Sequence, residues 1–250
     1  MTPAEILAVH KHRPFPLPKA PWIMYQDWHD LLFAHWALPA AVVRAVVPRE
    51  LPLDLWQGQA YVGLVPFVIR NLRPRGVPPL PLISHFAEIN VRTYVTVDDK
   101  PGVYFFSLDA ANVSAVLGAR LFFGLPYFKA KFRIESEGER IRYESRRTVR
   151  PKPAEFHATY RPVSEVRPWQ PIHESLERFL SERYCLYNVI AEHIYRTNIH
   201  HHPWPLQLAE AAIETNTMGD TIPLTLDGLP PLLHFSKAIA VVGWMPERVS

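Results

Sequence analysis

The clearest pattern along the chain is an alternation of polar and apolar residues that runs from Glu88 to Val95. In a β-strand, successive side chains point to opposite faces of the sheet. The two faces of the predicted strand carry Ile89, Val91, Thr93 and Val95 on one side, and Glu88, Asn90, Arg92 and Tyr94 on the other. An amphipathic surface strand would show the same alternation. Because the neighbouring segments 61–65 and 102–106 are apolar, we interpret the polar face as the lining of a pocket.

A second alternation covers residues 127–134, and its polar face carries Tyr127, Lys129, Lys131 and Arg133. The dipeptide Glu137-Gly138 then predicts a hairpin turn into the segment 140–149. A short turn at 98–102 joins the central strand to an apolar strand at 103–108. These two strands are therefore predicted to pair antiparallel.

Less regular patterns predict the remaining elements. Further strands are predicted at 60–69, 186–199, 204–213 and 232–244. The second of these is ambiguous between strand and helix, and its β-branched and aromatic residues favour strand. Helices are predicted at 40–47 after Pro39, from a cap at Asp109 or Asn112 to Gly124, and at 172–184. The proline-rich segments 70–83 and 150–171 are predicted as loops, and residues 1–21 as an extended N-terminal arm with a short helix at most.

These elements describe a single domain over residues 1–250 that is mainly β with some α. The 26 prolines are roughly twice the ~5% typical of proteins, which favours strands joined by rigid loops over a helical bundle. We expect a mostly antiparallel β-barrel with peripheral helices, because closing the sheet removes exposed strand edges.

The amino-acid composition bears on the expected cellular compartment of the protein and on its expected binding partners. A net charge of +3 over 250 residues does not indicate nucleic-acid binding. No apolar run approaches the ~18 residues of a membrane span, so we expect no membrane partner. The lone Cys185 excludes an intramolecular disulfide and fits a reducing, cytoplasmic compartment. Whether the chain forms a homo-oligomer is left open.

Motifs for metals and cofactors are weak. In the run His200-His201-His202, consecutive strand residues face opposite ways, so that only the first and third converge readily and a third ligand is undefined. The sequence has no glycine-rich phosphate motif and no Gly-x-Ser-x-Gly elbow. We therefore expect neither a metal nor a cofactor.

The central segment resembles the YqjF-like family of uncharacterised bacterial proteins. The residues that carry the resemblance are Phe86-Ala87-Glu88-Ile89-Asn90-Val91-Arg92-Thr93-Tyr94-Val95, with the turn Pro101-Gly102-Val103. Ala119-Arg120 and Leu125-Pro126-Tyr127 extend it, and weaker agreement covers 33–36, 56–67 and 183–184. The family has no established activity, so the resemblance implies a fold more than a function.

That family is similar in turn to the acetoacetate decarboxylase fold, a β-barrel with a central cavity. The enzymes of this fold place a glutamate in a strand and a Schiff-base lysine directly after a Gly-x-Pro sequence. Glu88 matches the glutamate, and Gly124-Leu125-Pro126 matches the Gly-x-Pro. Tyr127 and Phe128 occupy the two lysine positions, so the resemblance implies a related cavity without the usual catalytic lysine.

We predict one pocket lined by Glu88, Asn90, Arg92, Tyr94, Arg120 and Tyr127. The alternative for Glu88 and Arg92 is a buried ion pair. Glu88 is the candidate proton shuttle, and Lys129 is a candidate nucleophile if it enters the pocket. Alternatively, Lys129 belongs to a solvent-exposed face of the strand.

Two functions follow from this pocket. The first is binding of a small organic acid or carbonyl compound, with lyase or proton-transfer chemistry at Glu88. The second is noncatalytic binding of a small ligand, or an interaction role, by a protein that has lost the Schiff-base lysine. The sequence does not decide between an enzyme and a binding protein.

Overall fold

The computed structural model describes residues 1–80, 83–112, 124–147, 153–166, 175–226 and 232–249. Strands dominate this part of the chain. They are β1 (Met24–Pro39), β2 (Gln59–Pro74), β3 (Phe86–Val97), β4 (Lys100–Ala110), β5 (Tyr127–Glu137), β6 (Arg140–Arg147), β7 (Glu155–Pro162), β8 (Cys185–Ile190), β9 (His193–His200), β10 (Gln207–Asn216), β11 (Leu232–Gly243) and β12 (Glu247–Arg248). The fold is therefore mainly β, as the sequence predicts.

The described α-helices are short and lie outside the sheet. They are α1 (Pro3–Ala8), α2 (Ala40–Arg44) and α3 (Leu176–Ser181). The first begins with a capping box, in which the Thr2 hydroxyl accepts from the Glu5 amide and the Glu5 carboxylate accepts from the Thr2 amide. No helix in the described ranges is long and apolar enough to cross a membrane.

The sheet closes on itself in two ways. Following the pairings β4-β3-β2-β1-β11-β10-β7-β6-β5 and back to β4 gives a nine-stranded barrel, which we call the large ring. A shorter path through β9-β8-β4-β3-β2-β1-β11 also closes, because β11 pairs with β9 at Val242↔His200. We call this seven-stranded path the small ring. The strands β4, β3, β2, β1 and β11 belong to both.

The shared strand β3 buries both of its faces from Phe86 to Val95. On one face, Ile89 and Val91 belong to the apolar core inside the large ring, together with side chains from β6, β7 and β11 such as Tyr143, Phe156 and Phe235. The opposite face of β3 carries Glu88, Asn90 and Arg92, and it meets the interior of the small ring. The polar face is thus internal rather than solvent-exposed.

Several predicted elements are confirmed. The central strand pairs antiparallel with β4 through ten residue pairs, and β5 pairs antiparallel with β6 as a hairpin. The segment 186–199 is indeed extended, but it forms two strands, β8 and β9. A two-residue turn at Ala191 and Glu192, both with positive φ, connects them as hairpin turns of this length require.

Other predictions are wrong. The predicted loop 150–171 contains β7, in which Phe156, Ala158 and Tyr160 alternate into the core despite the flanking prolines. The predicted loop 70–83 begins too early, because β2 continues to Pro74. Asp109 does not cap a helix, since it lies inside β4, and the rest of that predicted helix, 113–123, lies outside the described residues.

The predicted helix 172–184 is shorter in the structure. Within the described residues, helix α3 spans Leu176–Ser181, and the Ser175 hydroxyl caps it by accepting from the Arg178 amide. Glu182 and Arg183 follow the helix and lead into β8. Ser181 and Arg183 thereby come to lie at one end of the small ring.

Candidate functional site

The small ring encloses a cavity of about 310 Å³. Six of its strands contribute side chains to the wall, and β11 contributes the backbone of Gly243. Apolar and aromatic residues make up most of the lining, including Trp28, Phe33, Phe67, Phe86, Phe105 and Trp204. The polar lining residues include Glu88, Asn90, Arg92, Tyr127, Thr197 and His201. Few polar groups in a mostly apolar concave space are typical of small-molecule sites.

Glu88 is buried inside this cavity and 3% exposed. Its carboxyl oxygen Oε2 accepts a hydrogen bond of 2.9 Å from the Tyr127 hydroxyl. Burial is the main cause that raises the pKa of Glu88, the tyrosine hydrogen bond opposes it and the nearby Asp109 carboxylate adds to it, so that the pKa is about 8. Glu88 is therefore mostly protonated at neutral pH.

Arg92 lies on the same face of β3, and its side chain is also buried. One guanidinium nitrogen, Nη2, donates to the carbonyl of Leu180 at 3.3 Å, and the guanidinium carbon lies 5.5 Å from the centre of the Phe33 ring. Its Nε has no hydrogen-bond partner in the described part of the chain. Among the described residues, no carboxylate lies within 4.0 Å of Arg92.

The alternative of a Glu88–Arg92 ion pair is thus not observed. Four residues along an extended strand span roughly 13 Å, which is too far for the two side chains to meet. Each group instead faces the cavity separately. The cavity wall therefore holds a neutral carboxyl group and a cation without a carboxylate partner among the described residues.

Tyr94, a predicted pocket residue, does not line the cavity. It is fully buried, and its hydroxyl donates to the Leu180 carbonyl at 2.9 Å and lies 2.7 Å from Nε2 of His35. The guanidinium of Arg183 covers its ring at 5.0 Å. The end of helix α3 closes the small ring at this level, so Tyr94 packs against that helix instead of facing free space.

Lys129, the predicted nucleophile, is exposed and lies outside the cavity. Strand β5 pairs with β4 only from Tyr127 to Lys129 and then continues as a partner of β6. The face that carries Lys129 and Lys131 consequently points to solvent, while Ala130 on the other face is buried. Arg120, also predicted for the pocket, lies outside the described residues.

Several lining residues are absent from the sequence-based prediction. Trp28 and Phe33 both face the cavity from β1, although they are an odd number of residues apart. A register shift between His29 and Ala34, with positive φ at Asp30, permits this. The sequence shows that this segment is rich in aromatic residues, but it does not show which of them share a face of the strand. Trp204 packs edge-on against Phe33 at 4.9 Å and completes this aromatic wall.

The three consecutive histidines separate in the structure. His201 lines the cavity, and burial lowers its pKa to about 3, so the ring is neutral. Nε2 of His200 instead lies 3.0 Å from the Ile6 carbonyl, beside the N-terminal segment. No group of three or more metal-binding side chains occurs in the described ranges.

A set of buried polar atoms in the wall has no hydrogen-bond partner among the residues that the structure describes. These atoms are Trp28 Nε1, Asn90 Oδ1, Arg92 Nε, Thr197 Oγ1 and Trp204 Nε1. A buried polar group left unsatisfied costs about 1–3 kcal/mol, so such groups are normally met by water or by a ligand. Their position around one cavity makes this the candidate binding site.

The fold of the chain is similar to that of several solved structures. The enduracididine biosynthesis enzyme MppR complexed with pyruvate has a TM-score of 0.61 and 10% identity, covering 92% of this chain and 91% of that chain. An acetoacetate decarboxylase-like enzyme from Sphingomonas wittichii RW1 has a TM-score of 0.60 and 12% identity, covering 95% of this chain and 98% of that chain. Acetoacetate decarboxylase from Legionella pneumophila has a TM-score of 0.60 and 11% identity, covering 95% of this chain and 93% of that chain. The chain thus has an acetoacetate decarboxylase-like fold, as the sequence resemblance implies.

The sequence comparisons define the family. Residues 25–240 match the profile of DUF2071, described as an uncharacterized conserved protein (COG2071). The uncharacterized protein YqjF of Bacillus subtilis (strain 168) is 48% identical over 228 residues, which cover 91% of this chain and 93% of YqjF. The chain therefore belongs to the DUF2071 family, and the resemblance inferred from the central strand is confirmed.

Proposed function

We propose that the cavity binds a small organic acid or carbonyl compound through Arg92 and Asn90, with Glu88 as the group that exchanges protons with it. The observation that carries this proposal is the buried guanidinium of Arg92, which faces the cavity and has no carboxylate within 4.0 Å among the described residues. A buried cation without a counter-ion is costly. A ligand carboxylate supplies that counter-charge through charge-assisted hydrogen bonds.

Glu88 supports proton transfer. Tyr127 holds Oε2, and no described residue forms a hydrogen bond with Oε1, which can therefore contact a ligand. With a pKa of about 8, the group exists in both protonation states near neutral pH, which suits a general acid or base. A protonated Glu88 donates to a carbonyl oxygen, whereas the ionised form accepts a proton from carbon or from a hydroxyl group.

A noncatalytic binding protein is the second candidate function. It is favoured by the position of Lys129, which is exposed, and by the lining, in which no described residue is a lysine. Without an amine in the cavity, a Schiff base with a keto acid has no donor. The two candidates share the binding step and differ only in whether Glu88 moves a proton of the ligand.

The binding step is tested by isothermal titration of short carboxylic and 2-oxo acids. We expect binding to the unmodified chain and at least tenfold weaker binding to Arg92→Met, because the variant removes the cation but keeps an apolar side chain of similar length. Arg133→Met is the matched control, since Arg133 is exposed on β5. Equal affinity in the Arg92 variant and the control, or no binding of any acid, would contradict the proposal.

The proton-transfer step is tested by NMR of a bound 2-oxo acid in D₂O. Exchange of the protons next to the carbonyl, lost in Glu88→Gln while binding persists, is the result expected for an enzyme. Binding without exchange would identify the noncatalytic function.

A further inference from the structure

The cavity is long. On β3 alone, its lining extends from Arg92 to Phe86, a separation of six positions that corresponds to roughly 20 Å in an extended strand. The wall continues past this level on the neighbouring strands. Phe86 pairs with Ile69 of β2, and the lining residue Leu72 lies three positions further along β2. Still further along, Pro74 of β2 pairs with Met24 of β1. The space therefore runs from Arg92 along the strands toward Met24.

The exposure and the polarity of the lining residues change along the length of the cavity. At one end, Asn90 and Arg92 are each less than 10% exposed, and Glu88, also buried, lies between the two ends of the cavity. At the other end, Met24, Trp28 and Leu72 are only half-buried, with Ile69 and Phe86 just inside them. The cavity thus opens at the end lined mainly by apolar side chains, where Gln26 is also present, and places Arg92 and Asn90 at the closed end.

An aromatic wall connects the two ends. Phe33 lies beside the Arg92 guanidinium and packs against Trp204 at 4.9 Å. Trp204 stacks on Trp28 at 6.0 Å, and Trp28 packs against Phe67 at 5.7 Å. Apolar surface is therefore continuous from the arginine to the opening.

The volume also exceeds what a short acid needs. A cavity of about 310 Å³ lies at the lower end of the roughly 300–1,000 Å³ range of pockets that hold drug-sized ligands. An acid of three or four carbons at Arg92 would leave most of the apolar wall without a partner. Uncovered apolar surface is unfavourable, and filling it strengthens binding.

We infer, on the basis of the binding function proposed above, that the ligand is a carboxylic acid with an extended apolar tail, which enters head first, places its carboxylate at Arg92 and lays its tail along the wall formed by Phe33, Trp204 and Trp28. This assigns a substrate class larger and more apolar than the simplest keto acids. Arg92 binds the head, and Trp28 acts as a residue that determines tail specificity.

The test is a titration of the unmodified chain with butanoate, hexanoate, octanoate and decanoate. Each added methylene is expected to tighten binding about fourfold until the tail reaches the opening. A flat series in which all four acids bind equally would overturn the inference and leave the proposed function intact. Absence of binding by every acid would overturn both.

Variants locate the tail. Trp28→Leu is expected to weaken decanoate binding about tenfold and to leave butanoate binding unchanged, because only the longer tail reaches Trp28. The matched control is Trp56→Leu, since Trp56 is also half-buried but packs against Phe179 outside the cavity. Circular dichroism confirms that both variants fold. An equal loss for both acids, or no loss for decanoate, would contradict the head-first arrangement.

Discussion

The large ring and the small ring share five strands, yet their interiors are filled in different ways. The large ring contains a packed apolar core around Ile89, Tyr143 and Phe156, all of them fully buried. The small ring, on the other face of the same strands, contains a cavity of about 310 Å³. The comparison shows that burial alone does not identify a structural residue, because β3 is equally buried on both sides.

The buried ionisable side chains of the two interiors also differ. On the side of the large ring, Nε and Nη2 of Arg147 donate to the carboxylate of Asp109 at 2.5–3.1 Å, and both side chains are at most 3% exposed. On the side of the small ring, Glu88 and Arg92 have no ionic partner within the described part of the chain. A matched buried pair holds the fold together, whereas unmatched groups facing a cavity indicate a ligand.

The largest expected effect distinguishes the buried Asp109–Arg147 ion pair from the buried Arg92 cation. Asp109→Ala should lower the free energy of unfolding by about 3–5 kcal/mol, because it leaves the Arg147 cation buried without its partner. Arg92→Met should leave that free energy equal or higher, since it removes an unmatched cation. Urea denaturation at pH 7 measures both.

Glu135→Ala is the control for the first effect. It removes a carboxylate paired with Arg133 on the surface, where an ion pair contributes little. If Asp109→Ala were as mild as this control, the proposed contrast between the two interiors would fail.

The second effect concerns the pH dependence of stability. The pKa of Glu88 is about 8 in the folded chain and near 4.5 when unfolded. Between these values the unfolded state releases the proton while the folded state keeps it, so that raising the pH favours unfolding. The unmodified chain should lose roughly 3 kcal/mol more stability than Glu88→Gln between pH 5.5 and pH 8.

Chemical denaturation of both proteins across that pH range provides the measurement. Subtracting the two profiles removes the titration of other buried carboxyls, such as Asp109 and Glu182, whose pKa values burial also raises. Parallel profiles for the two proteins would show that Glu88 is ionised in the folded state and would remove it as a proton donor at neutral pH.

The smallest effect compares adjacent residues of β3. Ile89→Val should lower the free energy of unfolding by about 1 kcal/mol, because it leaves a gap in the packed core. Asn90→Ala should have a smaller effect, since its Oδ1 has no hydrogen-bond partner to lose within the described ranges. Thermal unfolding measured for both variants is the check, and a larger loss for Asn90→Ala would mean that this side chain supports the fold.

Much of the fold was predictable because strand patterns are local. The alternation at 88–95 predicted both the strand and the separation of its faces, and the turn at 98–102 predicted its partner β4. The motif around Glu88 also identified the family and the barrel. Strand β7 was missed because neighbouring prolines outweighed a short alternation at Phe156 and Tyr160.

The candidate site was predictable only in part. Alternation brought Glu88, Asn90 and Arg92 to one face, and the structure places Tyr127 against Glu88. The same alternation did not distinguish Tyr94, which a helix far along the chain covers. The aromatic wall was also hidden, because Trp204 follows β9 and the irregularity near Asp30 changes the phase of β1.

The sequence by itself therefore determined which side chains of β3 stand together and which family the chain resembles. Only the tertiary structure decided that this polar face encloses a cavity, that Lys129 points to solvent and that Arg92 lies at the closed end. The physical reason is that the period of a strand is set by its own backbone. What faces that strand depends on pairings such as β4 with β5 and β9 with β11, which join segments far apart in the chain.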